Sequence, residues 1–126
     1  MNVRRGEIYW VEFDPIKGSE QGGLRPALVV QNDVGNRASP TTIVAAITRT
    51  LPPQPYPFVV ALSPAESGLR EPSAVNCSQL ATIQQAGPAS RLRPPRGETN
   101  VRAIGRIEDA KMAEVDDALR CSLHLA

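Results

Sequence analysis

The stretch that most restricts what this chain can fold into is residues 17–32, Lys17-Gly18-Ser19-Glu20-Gln21-Gly22-Gly23-Leu24-Arg25-Pro26-Ala27-Leu28-Val29-Val30-Gln31-Asn32. Its first half holds three glycines among small and polar residues and cannot pack into a core. Its second half is apolar and β-branched and can. A loop therefore runs directly into a strand, with Arg25 at the junction. Pro26 keeps Arg25 out of helical angles and fits at a strand's first residue or on a sheet edge. Taken alone, such a loop also describes an ordinary hairpin with a solvated arginine.

The rest of the chain repeats the theme of short strands and tight turns. Glu7-Ile8-Tyr9-Trp10-Val11-Glu12-Phe13 alternates, with Tyr9, Val11 and Phe13 on one face and Ile8, Trp10 and Glu12 on the other. Asp14-Pro15 ends that strand. After Pro26 to Gln31, residues 32–36 read as a turn, and Thr42 to Thr48 form a third strand with Ile43, Ala45 and Ile47 facing one way. Residues 51–57 are too proline-dense for regular structure and read as an extended, movable surface loop. Phe58 to Leu62 resumes the sheet, Ser63-Pro64 opens a turn or single helical turn through Gly68, and Ser73 to Cys77 and Leu80 to Ile83 look like two strand pieces.

Residues 86–100 form a second Pro/Gly segment carrying Arg91, Arg93 and Arg96, either a solvated insertion or an RNA-contacting arm. Val101 to Ile107 can form a last strand. From Asp109 as N-cap, Met112, Val115, Leu119 and Leu123 line one face of a helix, with acidic residues early where the helix dipole favours them. This inventory predicts a mainly β chain with helices, a small and strongly curved β-barrel plugged by a C-terminal helix, as a single domain over residues 1–126.

Composition excludes several function classes. No run of about 18 apolar residues exists, and the start has no apolar signal core, so nothing points to a membrane. Cys77 and Cys121 lack ligand spacing, which disfavours structural zinc and suits a reduced, cytoplasmic setting. Residues 1–107 carry 12 basic and 8 acidic groups, whereas residues 108–126 carry 2 and 5. That split suits a front half that meets a phosphate backbone through local contacts, not bulk charge. With five aromatic residues, base stacking cannot be the main readout of a nucleic acid.

The blocks Gly6 to Pro15 and Gly18-Ser19-Glu20-Gln21-Gly22-Gly23-Leu24-Arg25-Pro26, followed by a strand ending in Thr48, resemble the MazF/PemK family of toxin endoribonucleases. The resemblance spans nearly the whole chain. It implies an SH3-like barrel of the CcdB/MazF type, a homodimer, and sequence-selective cleavage of single-stranded mRNA without metal or other cofactor. It also implies inhibition by a MazE-like antitoxin. Carried onto this sequence, the family's catalytic residues fall on Arg25 and Thr48. Its substrate contacts fall on Ser19, Glu20 and Gln21, with Asn32, Asn36, Ser73 and Gln79 as further neighbours. Two departures stand out: Ala81 replaces the usual Lys or Arg, and the basic insertion is longer than expected.

Elementary chemistry asks what RNA cleavage needs: a 2′-hydroxyl attacking the adjacent phosphorus, a proton acceptor, stabilisation of an anionic phosphorane, and a proton for the departing 5′ oxygen. The sole histidine, His124, lies three residues from the end, so a two-histidine mechanism is excluded on count. Glu12 and Asp14 share a strand face, but that spacing is common on solvated strands and Pro15 follows at once, so the pair does not point to metal dependence. What remains is a guanidinium whose donors match phosphorane oxygens and a hydroxyl that can donate or relay a proton. The group acting as base stays open between Thr48, water and Glu20. Two other classes stay open as well: a non-catalytic toxin on the same barrel that poisons DNA gyrase, and an inert RNA-binding barrel.

Overall fold

The computed structural model describes residues 2–13, 23–51 and 55–126. Strands β1 (Glu7–Phe13), β2 (Gly23–Val29), β3 (Thr41–Thr48), β4 (Val59–Leu62), β5 (Ser73–Gln84), β6 (Leu92–Arg93) and β7 (Gly105–Arg106) form one curled antiparallel sheet. Helices α1 (Asp33–Ala38), α2 (Pro64–Ser67) and α3 (Asp109–Leu123) complete it. The strands lie in the order β4-β5-β3-β2-β1-β6, with β7 paired to the other half of β1.

Alternation along the strands sorts the core into two layers. Ile8, Leu28, Val30, Ala45, Ile47, Val60, Leu62, Val75 and Cys77 face α3, which contributes Met112, Val115 and Ala118. Tyr9, Val11, Ala27, Val29, Val44 and Ile83 face the opposite way, where Val3, Leu92 and, at the margin, Val101 and Ala103 cover them. The expected faces of β1 and β3 are therefore those observed. Both layers exclude water from one sheet, so hydrophobic burial holds the curl from both sides.

Several elements differ from expectation. Residues 33–38 are a helix rather than a turn, capped by Asn32, whose Oδ1 accepts from Gly35 N at 2.8 Å. β2 begins at Gly23, which places Pro26 inside the strand. That position is tolerated because β3 pairs only with Ala27 to Val29, so Pro26 meets Trp10 of β1 on one side and an open edge on the other. β5 is one long strand, not two pieces. Its register against β3 jumps from Ala45↔Leu80 to Ile47↔Val75, a bulge that lets its first half swing over to β4.

The Pro/Gly segment contains a two-residue strand, β6, laid on the free edge of β1, while only Gly105 and Arg106 of the expected last strand pair as such. In α3 the N-cap is Glu108 rather than Asp109, and it makes no side-chain cap bond. Leu123, expected on the buried face, is 52% exposed because α3 has by then run past the sheet; Ala118 fills the apolar stripe in its place.

Burial separates the two thiols. Cys77 lies in the core beneath α3 and its pKa is pushed up to about 11, whereas Cys121 is exposed. Thiolate is the reactive form, so near neutral pH an alkylating reagent should label Cys121 alone in the native chain and both cysteines after denaturation. Equal labelling of Cys77 in the native protein, read by mass spectrometry of the peptides, would contradict this packing.

Candidate active site

The β2–β3 ladder positions the two side chains on which catalysis was expected to rest. Ala27 and Ala46 are the last paired residues of that ladder, with Arg25 two residues before Ala27 and Thr48 two residues after Ala46. Arg25 Nη2 donates to Ile47 O at 3.3 Å, the carbonyl of the peptide that joins Ile47 to Thr48. On the far side Thr48 faces Ala74 of β5, and Ala74 faces Ala61 of β4. On the near side Arg25 faces Val11 of β1, which faces Leu92 of β6. Arg25 and Thr48 thus lie just beyond one end of the β2–β3 ladder, linked through the Ile47 carbonyl and flanked by small or apolar residues.

Each group is held in place by its neighbours. Thr48 Oγ1 accepts from Thr50 N at 3.1 Å, which fixes the oxygen and leaves its proton to give. Arg25 is partly buried, and that burial draws its guanidinium below its usual pKa. Loss of water also strengthens any charge-assisted bond the fork makes to a phosphate. At the rim, Arg49 and Glu71 form an exposed ion pair at 3.3 Å. Among the described residues, no three His, Cys, Asp or Glu converge as metal ligands.

The remaining expected contact residues divide by place. Ser19, Glu20 and Gln21 lie outside the described residues. Ser73 adjoins Ala74 and so stands beside Thr48, but it is buried and its Oγ donates to Glu71 O at 3.0 Å. Gln79 is partly exposed in the β5 bulge. Asn32 and Asn36 sit at the other end of the β2–β3 ladder, six residues of β3 from Thr48, which is roughly 20 Å of strand.

Asn36 has no exposed surface to offer a ligand: its Oδ1 accepts from Thr42 Oγ1 at 2.6 Å and Gln31 Nε2 at 3.1 Å, and its Nδ2 donates to Gln31 O and Asp33 Oδ1. It ties α1 to β3. Ala81 faces Val44 and packs on the second core layer. What sequence reasoning missed is the backbone: the Ile47 carbonyl that anchors Arg25 carries no side-chain signal, and only the pairing of β2 with β3 reveals it.

A family model described as PemK-like, MazF-like toxin of type II toxin-antitoxin system matches residues 4–123. Endoribonuclease EndoA of Bacillus subtilis (strain 168) is 40% identical over 125 residues, covering 99% of this chain and 97% of that protein. The crystal structure of MazF (Form-I) from Deinococcus radiodurans is 26% identical, with 98% of each chain covered and a TM-score of 0.70. A mycobacterial endoribonuclease in complex with its cognate antitoxin shares the fold at a TM-score of 0.72 and 22% identity, over 98% of this chain and 97% of that one. The match from residue 4 to residue 123, together with this shared fold, makes the chain a member of the PemK-like, MazF-like toxins of type II toxin–antitoxin systems.

Proposed function

We propose that this endoribonuclease toxin cuts single-stranded RNA by attack of a ribose 2′-hydroxyl on the adjacent phosphorus, with Arg25 and Thr48 acting on the same phosphate and no metal ion taking part. The observation that carries this reading is the Arg25 bond to the Ile47 carbonyl, which brings the fork to the peptide of Thr48.

As the 2′ oxygen bonds to phosphorus, negative charge grows on the non-bridging oxygens. Arg25 donates to those oxygens and is worth most at that moment, because it is partly desolvated and already oriented. The Thr48 hydroxyl, steadied by Thr50 N, donates a hydrogen bond to a non-bridging oxygen. The proton lost by the attacking 2′-hydroxyl passes to water and a water proton goes to the departing 5′ oxygen, so the P–O5′ bond breaks as the P–O2′ bond forms, leaving a 2′,3′-cyclic phosphate and a 5′-hydroxyl.

The sequence-selective contacts are assigned to Ser19, Glu20, Gln21, Asn32 and Gln79, while Ser73, buried beside Ala74, serves the site only through its backbone neighbours. A MazE-like antitoxin, an acidic and partly disordered segment, covers the loop before Arg25. Solved neighbours in complex with antitoxins and the excess of basic groups in residues 1–107 support that partner. The active form is a cytoplasmic homodimer.

Purified protein incubated with a mixed-sequence RNA in EDTA should generate new ends that accept phosphate from a kinase directly, the mark of a 5′-hydroxyl. Cleavage that appears only when a divalent ion is restored would sink the metal-free mechanism. Intact RNA under both conditions, with inhibition of DNA gyrase instead, would replace the reading altogether.

A further inference from the structure

We infer that Arg93 and the cavity beside it form a second phosphate site, which holds a backbone phosphate of the RNA strand away from the one being cut. The inference rests on the RNA-cleavage reading above.

The segment from 86 to 106 bears five arginines and one glutamate, Glu98. That glutamate is taken by Arg102, whose Nε and Nη2 reach its two oxygens at 2.7 Å each. The segment is no solvated insertion: β6 pairs with β1, and Leu92 and Val101 seal the second core layer. Its backbone is therefore fixed, and so is what it carries.

Arg93 is half-buried, and its Nη1 donates to Ser90 O at 2.9 Å and to Leu92 O at 3.0 Å. Those two bonds pin one end of the guanidinium. Nε and Nη2, the side-on edge of the fork, have no acceptor among the described residues. This edge is the pair of donors that matches two oxygens of a phosphate.

Beside it lies a cavity of about 330 Å³ lined by Gln85, Gly87, Ser90, Leu92 and Val101, with no acidic residue in its wall. Gln85 is held by its bonds to Val3 N and to the carbonyls of Asn36 and Ser39, which fixes that side of the wall. Arg93, a pinned cation with a spare two-donor edge, is itself part of the wall of this acid-free cavity, an arrangement that suits an anion with paired oxygens.

Register supplies the reason for choosing an RNA phosphate over a free one. Leu92 faces Val11, and Val11 faces Arg25, so the backbone of β6 is two strand spacings, roughly 10 Å, from that of Arg25; Arg93 itself faces Trp10 and leaves this outer strand on the opposite sheet face, so a strand held at Arg25 meets it by passing round the β6 edge. A strand engaged at Arg25 has its neighbouring phosphates within that reach. Electrostatic grip of this kind is sequence-independent and adds affinity without adding to the chemical step.

The test is anisotropy of a fluorescent single-stranded RNA carrying a 2′-deoxyribose at the cut linkage, titrated across a salt series with wild type, Arg93→Gln and Arg93→Lys. Arg93→Gln should weaken binding about tenfold and lower the slope of log K against log salt by about 0.7, the value for one phosphate contact on a single strand. The lysine variant should recover part of the affinity, and the saturated cleavage rate should stay unchanged in both.

A scan of neutral methylphosphonates through the RNA needs no variant, so a folding defect cannot obscure the answer. One linkage other than the scissile one should reproduce the tenfold loss with wild type and add nothing with Arg93→Gln. Indifference of wild type to every non-scissile linkage, or an unchanged salt slope, overturns the inference. So does protection of the site by adenosine monophosphate without any linkage effect, which would assign the pocket to a free nucleotide. If no RNA is cut, the parent reading falls on that result alone, while the same titration on unmodified RNA still decides the pocket.

Discussion

Replacing Arg25 by alanine is expected to slow single-turnover cleavage about 10²- to 10³-fold, the loss of about 3–4 kcal/mol that follows removal of a donor aimed at developing transition-state charge. Arg25→Lys keeps the positive charge but has no planar fork, and the Ile47 carbonyl that aims the guanidinium would meet a single rotatable ammonium instead. It should therefore recover only part of the rate. If Arg25 and Thr48 act on one phosphate, as proposed, their losses should not add: Thr48→Ala made in an Arg25→Ala background should cost clearly less than Thr48→Ala alone. Full activity of Arg25→Lys would refute the fork, and strict additivity of the two losses would refute the shared phosphate. A substrate cut under rapid-quench conditions, with enzyme in excess, reads both.

How much of this could be read from the sequence depended on whether the signal was local. β1 was legible from Glu7 to Phe13 because its alternation is complete, and the faces of β3 followed from the same period of two. Arg25 and Thr48 were named because the motif around Pro26 carries a family resemblance; their adjacency could not be read, since it depends on which strands pair. α1 was missed for a physical reason. Six residues with a glycine and an asparagine have little helix propensity, and that helix persists through the buried bonds of Asn36 to Gln31, Asp33 and Thr42. β6 was missed because no propensity marks it: a two-residue strand forms where the free edge of β1 offers partners. Pro26 misled in the same way, since whether a strand position is an edge is settled by the neighbour's length and not by the strand's own sequence.

The same dependence on tertiary neighbours makes Gly105→Ala the substitution with the largest expected effect on stability. A Cβ at Gly105 would lie 2.0 Å from Ser67 O and 2.9 Å from Ser67 C, and one at Gly68 would lie 2.6 Å from Ile104 O, so α2 and β7 meet backbone to backbone through these two glycines. Neither obstruction is the tip of a flexible side chain that could swing away. Relief requires β7 to leave β1, where Gly105 faces Ile8, and would drag Ile104 and Ile107 from the core beneath α3. We expect Gly105→Ala to cost about 3 kcal/mol or more, at the upper end of overpacking losses, and to lower the melting temperature by roughly 10 °C. Gly97→Ala is the matched control: its φ of +81° strains an added side chain, but nothing lies within 4 Å, so about 1 kcal/mol should be lost. Urea unfolding of both variants reads the difference, and a Gly105→Ala chain as stable as Gly97→Ala would mean that α2 does not close against β7. Because β7 pairs with Glu7 and Ile8 whereas Arg25 faces Val11 further along the strand, the variant should still cleave at the wild-type rate well below its melting temperature. Closure of the sheet and alignment of the proposed catalytic pair are then separable, each resting on a different half of β1.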